Sequence, residues 1–267
     1  MTDVAPLPLC SRLSLSIDTA PLLAALSRLP AEAWQPHFNT GYFSGDWSGI
    51  ALIAPAGAHT ALAPGDGEPQ PTATFHAEPA WARVLAQIEA PIRAARLLRL
   101  GPGARIREHM DYDLAGPGSD MRVHIPLLSH PEVEFLLDGQ LVPMQAGECW
   151  FLDLSRPHRV DNPTQHARIH LVLDCRRSLW LRQAVADGLP GTPPLGSSAG
   201  CRAFAAFQQQ VAHDAALADA LMAIETRDQF VAQAVALGAV HGHHFAPDDI
   251  HAAMRQGRQR WMQLWMA

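Results

Sequence analysis

Lysine is missing from this chain of 267 residues, so all 20 basic side chains are arginine, which we attribute to GC-rich coding rather than to chemistry. Charge is also sparse: charged residues make up only 17% of the chain, and the formal net charge is -6. An acidic chain is poorly suited to holding phosphate backbones. We therefore predict that nucleic acid is not a partner.

Cysteine is scarce as well, since Cys10, Cys149, Cys175 and Cys201 are widely spaced and form no Cys-x-x-Cys pair. No run of about 18 apolar residues occurs without a charge or a proline. Neither a disulfide framework nor a membrane span is expected, and the first residues carry no recognisable secretory signal. We expect free thiols, no membrane partner and a cytoplasmic protein.

The first third of the chain mixes two kinds of pattern. Residues 12–17 alternate polar and apolar side chains like a strand, and residues 19–29 have the spacing of a short helix. Residues 54–79 are rich in Pro, Gly, Ala and Thr and predict a long loop. Residues 81–95 resume a helical pattern that is broken at Pro91.

Short apolar runs cut by Gly, Pro and Asn fill the middle of the chain: LLRL, MRVHIPLL, VEFLL, LVPM, CWFLDL and RIHLVLDC. Several short strands at such spacing predict a sandwich or jelly roll, and Asp138-Gly139 is the clearest hairpin signal. We predict a mainly β domain over residues 1–187 with its core at about 95–175, a linker at 188–200, and a helical region at 201–267.

Three side chains in the strand-rich part form a candidate metal-binding set. His109 and Asp111 are two residues apart, so on an extended backbone they point to the same side. His158 follows Asp111 by 47 residues, beyond the predicted hairpin. Two histidines and one carboxylate are the set that holds non-haem Fe(II) with positions open for further ligands. Because His-x-Asp also arises by chance on protein surfaces, this spacing alone does not decide the matter.

Arg168 lies in the apolar run RIHLVLD, ten residues after His158. A cation in a buried strand needs a partner of opposite charge, and the guanidinium fork suits the carboxylate of a bound dicarboxylate. Arg122 and His124 share one face of MRVHIPLL. His124 and His170 could each be a buried histidine whose hydrogen bonds are met within the core, or could help to bind the cosubstrate. Both interpretations stay equally open.

The motifs HMDYDL, MRVHIPLL, VEFLLDG, GECWFLDLSRPHRVDN and RIHLVLD resemble, in order and spacing, the aspartyl/asparaginyl β-hydroxylase family. The resemblance covers roughly residues 95–175. The upstream pattern Tyr42-x-x-Gly45-x-Trp47 is also similar to that family. It is most similar to the bacterial branch that contains proline cis-4-hydroxylases, which also carries a C-terminal helical region.

This resemblance implies a mainly β fold with helices: a double-stranded β-helix (jelly roll, cupin-like) core, N-terminal helices and a C-terminal helical region. It implies a dioxygenase that uses Fe(II), 2-oxoglutarate and O2 to hydroxylate an unactivated carbon, with release of succinate and CO2. The implied residues are the iron ligands His109, Asp111 and His158, and the cosubstrate contacts Arg168, Arg122 and His124.

The chain departs from the animal peptide hydroxylases of this family at two positions. Those enzymes have no carboxylate where this chain has Asp111, and they carry a cosubstrate-binding Ser where it has Leu98. We therefore expect a small-molecule substrate, a free amino acid that is proline-like or of aspartyl/asparaginyl type. Candidate substrate contacts are the Tyr42 and Trp47 region, the loop at 54–79, and Arg105 or Arg107.

Other functions stay open. One is a hydroxylase of an aspartyl or asparaginyl residue in a short peptide recruited by the C-terminal helices, which are also candidates for a lid or a homodimer interface. A cupin-type enzyme without 2-oxoglutarate would normally offer three or more histidines with a Glu, and Glu108 points to the opposite strand face from His109. The last is a non-catalytic cupin-like protein that binds a metal or a small molecule.

Overall fold

Antiparallel strands dominate the N-terminal two thirds of the chain, and helices follow them. This computed structural model describes residues 6–266 and the side chains of residues 6–262. The strands are β1 (Cys10–Ser16), β2 (Gln35–Pro36), β3 (Phe43–Ser44), β4 (Trp47–Pro55), β5 (Pro69–Pro71), β6 (Ile92–Leu100), β7 (Arg105–His109), β8 (Met121–Leu128), β9 (Glu134–Leu137), β10 (Gln140–Leu141), β11 (Glu148–Leu152), β12 (His158–Asp161) and β13 (Arg168–Cys175). The helices are α1 (Ala20–Ser27), α2 (Ala73–Ala77), α3 (Pro79–Leu85), α4 (Leu179–Gly188), α5 (Ala199–His213), α6 (Ala215–Met222), α7 (Arg227–Val240) and α8 (Pro247–Met266).

Two antiparallel sheets form the β-rich part. The larger sheet has the order β1-β11-β8-β13-β6-β4-β2, with β5 paired to β4. In the smaller sheet of five strands, β12 lies between β9 and β7, and β3 pairs with β7. Strands distant in sequence are neighbours in both sheets, as they are in a jelly roll. The predicted fold class, a double-stranded β-helix with helices before and after it, is confirmed.

The two faces of the larger sheet have different roles. On β8 and β13, alternate side chains such as Val123, Ile125, Leu171 and Leu173 are buried in the main hydrophobic core, together with side chains from α1, α3 and α4. The residues between them, such as Arg122, point to the other face and line a cavity between the two sheets. The two-residue period of a strand thus separates the core from the cavity.

Contacts divide the chain into two compact units. Within the described part, one unit runs up to Leu137 and includes Val142–Pro194, and the other holds Asp138–Leu141 and the residues from Leu195 onward. Helices of the second unit share a core that includes Phe204, Phe207 and Val231. Three of these helices begin at a side chain that accepts a backbone hydrogen bond, which favours a helix start there: Ser198, Asp214 and Thr226.

The predictions for residues 47–100 were partly wrong. Residues 81–95 were expected to be helical, but α3 ends at Leu85 and β6 begins at Ile92. Strand β6 pairs with β13 on one side and with β4 on the other. Hydrogen bonding to two neighbouring strands outweighs the local helical spacing of its first residues. The expected loop at 54–79 contains β5 and α2, and β4 was not predicted as a strand.

Two smaller predictions were correct. Asp138 and Gly139 both have positive φ values, 50° and 75°, as a type I′ hairpin turn requires. All four cysteines are free thiols. Among the residues described, no helix combines the length and the hydrophobicity that crossing a bilayer requires.

Candidate metal centre and its cavity

A cavity of about 300 Å³ lies between the two sheets of the first unit. Much of its wall is apolar, with Leu98, Phe135 and Val172 among the lining residues. The polar part of the wall contains every side chain predicted for the site: His109, Asp111, Arg122, His124, His158 and Arg168. The fold thus brings together residues that are up to 59 positions apart in the sequence.

Strand pairing brings the three candidate metal ligands together. His109 ends β7 and His158 begins β12, and these two residues lie opposite each other in the antiparallel pair. Asp111 lies two residues beyond the end of β7. One nitrogen or oxygen atom from each of the three side chains lies within 4.8 Å of the other two. This arrangement has the composition of the two-histidine, one-carboxylate sites that hold non-haem Fe(II).

Both imidazole rings are oriented by the backbone. Nδ1 of His109 lies 2.8 Å from the Arg107 carbonyl oxygen, and Nδ1 of His158 lies 3.0 Å from that of Arg156. A carbonyl oxygen only accepts, so we assign the ring proton to Nδ1, which leaves the Nε2 lone pair for a metal. Burial lowers the pKa of His158 to about 4, and this ring is therefore neutral at physiological pH.

A chain of ion pairs holds the carboxylate of Asp111. Arg122 donates from Nη1 to Asp111 Oδ2 and from Nε to Asp174 Oδ1 at 2.6 Å. Arg96 donates to Asp174 Oδ2 at 2.7 Å. Burial acts to raise the pKa of Asp174, but the charges of Arg122 and Arg96 outweigh it and hold this pKa well below its usual range. Two arginines and two carboxylates thus balance each other and orient Asp111.

Arg168 has no such balance. It is only 3% exposed, and among the described side chains no carboxylate lies within ion-pair distance of it. Its Nη2 donates to Nδ1 of His170 at 2.8 Å, and its guanidinium lies 5.7 Å from the centre of the Phe135 ring. Burial lowers the pKa of Arg168 to about 9, so the side chain is still charged at neutral pH. The cavity is therefore lined by a buried cation without a counter-charge.

The two histidines near Arg168, His170 and His124, differ in how many of their ring nitrogens have a hydrogen-bond partner. A guanidinium only donates, so Nδ1 of His170 is an acceptor. Nδ1 of His124 lies 3.3 Å from Nδ1 of His170. Because Nδ1 of His170 accepts, we assign the ring proton of His124 to its own Nδ1. His124 Nε2 is then a buried acceptor that has no hydrogen-bond partner in the described part of the chain. His124 keeps a nitrogen available at the cavity wall.

Sequence reasoning missed several polar residues of the cavity, among them His37 and Arg96. His37 stacks on Trp47 with ring centres 3.4 Å apart. Burial, with a further contribution from Arg96, lowers the pKa of His37 to about 3, so its ring is neutral. Arg96 carried a usable signal, a cation just before the apolar run LLRL at residues 97–100, but it was not singled out. For His37 the sequence holds no such signal.

Some of the residues predicted to contact the substrate line the cavity, and others do not. Tyr42 and Trp47 line the cavity, as do Leu62 and Pro64 from the segment predicted as a loop. Arg105 pairs instead with Asp161 at 2.7 Å. Arg107 is exposed and donates to the Gly41 carbonyl oxygen at 3.5 Å. Neither arginine lines the cavity.

Comparison with known proteins adds a family assignment. A family model described as Aspartyl/Asparaginyl beta-hydroxylase matches residues 25–178, which is more than half of the chain. Among solved structures, the chain is similar to an oxidoreductase of the 2OG-Fe(II) oxygenase family from Burkholderia pseudomallei, with 18% identity, coverage of 60% of this chain and 78% of that chain, and a TM-score of 0.40. It is also similar to a Pseudomonas putida prolyl-4-hydroxylase, with 20% identity, coverage of 64% and 94%, and a TM-score of 0.40.

The matched residues include all six predicted site residues. The chain belongs to the aspartyl/asparaginyl beta-hydroxylase family and is a hydroxylase.

Proposed function

We propose that this hydroxylase uses Fe(II), 2-oxoglutarate and O2 to hydroxylate an unactivated carbon of an amino acid, free and proline-like or of aspartyl/asparaginyl type. The observation that carries the proposal is Arg168, a buried cation that has no carboxylate partner among the described residues and lies in the same cavity as the triad. A 2-oxo acid that chelates the metal and carries a second carboxylate would supply the missing counter-charge.

The donor set supports Fe(II). Nδ1 of His109 and Nδ1 of His158 each face a backbone carbonyl oxygen, which leaves the Nε2 lone pairs for the metal. Oδ2 of Asp111 is taken by Arg122, so Oδ1, which lies 3.6 Å from His109 Nε2, is the oxygen left for the metal. Three protein ligands of this kind leave coordination positions for a chelating cosubstrate and for dioxygen.

When bound, Fe(II) and 2-oxoglutarate supply the oxidising chemistry, and 2-oxoglutarate leaves as succinate and CO2. The protein's part is to bind and to position. Arg168 would hold the remote carboxylate, with Phe135 and His170 fixing the guanidinium. Arg122 keeps Asp111 oriented behind the metal site. Apolar side chains such as Leu98 and Val172 would keep bulk water away from the reacting atoms.

Anaerobic spectroscopy tests this proposal. Wild-type protein should show a visible absorption band only when Fe(II) and 2-oxoglutarate are both present, and should release succinate in air with a substrate from an amino-acid panel. His158→Ala should lose the band. Arg176→Ala, which removes an exposed cation just past β13, is the matched control and should keep it. A wild-type protein without the band, or a His158→Ala variant that retains it, contradicts the proposal.

The same assay compares the alternatives. Succinate release with peptides but not with free amino acids would favour the peptide substrate recruited by the C-terminal helices. A non-catalytic cupin-like binding protein would release no succinate with either, and membership of a hydroxylase family argues against it.

A further inference from the structure

A second cavity, of about 230 Å³, adjoins the metal-site cavity. The two cavities share Pro64, Arg96 and Asp113 in their walls. The second cavity is also lined by Arg93 and Asp120, which do not reach the first. None of the residues predicted as metal ligands or cosubstrate contacts lines it.

Two buried arginines in this second cavity have unused hydrogen-bond donors. Arg93 is 7% exposed and Arg96 is 3% exposed. In both, Nε is buried without a hydrogen-bond partner among the described residues. Arg93 Nη2 donates to the Gly65 carbonyl oxygen at 2.7 Å, but the carboxylate of Asp120 lies 3.7 Å from Arg93 Nε, too far for a hydrogen bond. Buried charged donors of this kind favour a ligand with an anionic acceptor.

Carboxylates outnumber arginines in the same wall. Four aspartates line the cavity, against two arginines: Asp66, Asp113, Asp120 and Asp174. Only Asp174 is fully engaged, by Arg96 and Arg122. Burial raises the pKa of Asp120, because Arg93, 3.7 Å away, compensates its charge only in part, and no described arginine lies within ion-pair distance of Asp113. A cation bound beside them would be stabilised. The cavity therefore offers donors to an anion and acceptors to a cation.

We propose that this second cavity binds the zwitterionic head group of a free α-amino acid, with its carboxylate at Arg93 and Arg96 and its ammonium at Asp113 and Asp120. The inference rests on the proposed function, because the two cavities have Arg96 and Asp113 in common, and a head group held there would place the rest of the amino acid beside the metal-site cavity. A residue inside a peptide carries neutral amides at both positions. The substrate class is therefore free amino acids, in preference to residues inside peptides.

Glycine is the probe for this site, because it is the head group alone. Calorimetric titrations use protein saturated with 2-oxoglutarate, so that Arg168 is occupied. Glycine should bind, whereas N-acetylglycine and glycinamide, which each lack one of the two charges, should bind about ten-fold more weakly or worse. Arg93→Gln and Asp120→Asn should each weaken glycine binding by a similar factor. Arg99→Gln is the matched control, since Arg99 lies on the same strand and pairs with Asp46 outside the cavity.

Because Arg93 is buried, Asp120→Asn keeps the test decisive if Arg93→Gln does not fold. Three results would overturn the inference: no glycine binding at tens of millimolar, equal binding of the three compounds, or unchanged glycine binding in folded Asp120→Asn. The absorption band with Fe(II) and 2-oxoglutarate is recorded on the same preparations. If the band is present and glycine binding fails, only the head-group site is wrong; if the band is absent, the proposed function itself has failed.

Discussion

Three arginines line the metal-site cavity, and two of them, Arg122 and Arg168, differ in how their charges are compensated. Arg122 pairs with both Asp111 and Asp174. Arg168 is buried, and no described carboxylate lies within ion-pair distance of it. Removing an ion from water costs several kcal/mol, which only a well-placed counter-charge offsets. A buried arginine that is already paired holds the fold and orients its neighbours, whereas one without a partner indicates the place of an anionic ligand.

Arg168→Ala should have the largest effect on ligand binding. Loss of the counter-charge for the remote carboxylate should weaken 2-oxoglutarate binding by about 100-fold to 1000-fold, because a desolvated charge pair is broken. The variant should lose little stability, since Arg168 pairs with no carboxylate in the part of the chain that the structure describes. Calorimetric titration of 2-oxoglutarate and urea denaturation measure the two quantities. Unchanged affinity would remove the distinction between the two arginines.

Asp174→Asn should have the largest effect on stability. Arg96 and Arg122 both lose their buried counter-charge, so we expect the free energy of unfolding to fall by about 3 kcal/mol. Urea denaturation provides the measurement. Asp66→Asn, at a fully exposed side chain, is the control and should change little. If the two variants are equally stable, the buried chain of ion pairs does not hold the fold as described.

The same ion pairs predict a pH dependence. The pKa of Asp174 is depressed in the folded state, whereas an unfolded Asp titrates near about 3.9. Its contribution to stability is therefore complete above that unfolded value and is lost as the pH falls towards the folded pKa, with a slope of up to about 1.4 kcal/mol per pH unit. Urea denaturation between about pH 5 and pH 3 should show a shallower loss in Asp174→Asn than in wild type. Parallel curves would exclude Asp174 as the source.

His170→Phe should have a smaller effect on 2-oxoglutarate binding than Arg168→Ala. The ring accepts a hydrogen bond from Arg168, so its loss leaves the guanidinium less well fixed, and 2-oxoglutarate binding should weaken about five-fold. His130→Phe, at an exposed histidine, is the control for the same titration. Equal affinities in the two variants would show that Arg168 is held by other contacts.

Arg107→Ala should have the smallest effect of all. This arginine is exposed and its guanidinium contacts only a backbone carbonyl, so 2-oxoglutarate affinity should change by less than about two-fold. The result separates a general effect of positive charge near the metal site from a specific effect of Arg168. A loss as large as that expected for Arg168→Ala would favour the general effect.

The same two arginines explain how far the sequence could predict the site. Arg168 was found because a cation within an apolar strand needs a partner that the strand itself does not supply. The role of Arg122 as partner of Asp174 was not found, because the two residues are 52 positions apart and meet only when β8 pairs with β13. The fold class followed from the spacing of the short apolar runs and from the family motifs. The end of β6 was predicted as the run LLRL, but its first residues, up to Ala95, were predicted as helix from local helical spacing, which sheet pairing overrides.

The cavity brings together the six side chains that the sequence and the family resemblance had indicated, and their roles in binding stay predictions until ligands are added. The second cavity had no sequence signal. Its arginines and aspartates come from segments around positions 66, 93, 113, 120 and 174, which are adjacent only in the folded chain.

The most direct test of the central claim compares two cosubstrates in two proteins. Pyruvate carries the same 2-oxo acid group as 2-oxoglutarate but lacks the remote carboxylate that Arg168 is proposed to bind. Titrations of the Fe(II)-loaded protein without oxygen should show that wild type prefers 2-oxoglutarate by about 100-fold or more, and that Arg168→Ala loses nearly all of that preference. Equal binding of the two acids by wild type, or an Arg168→Ala variant that keeps the preference, would contradict the account.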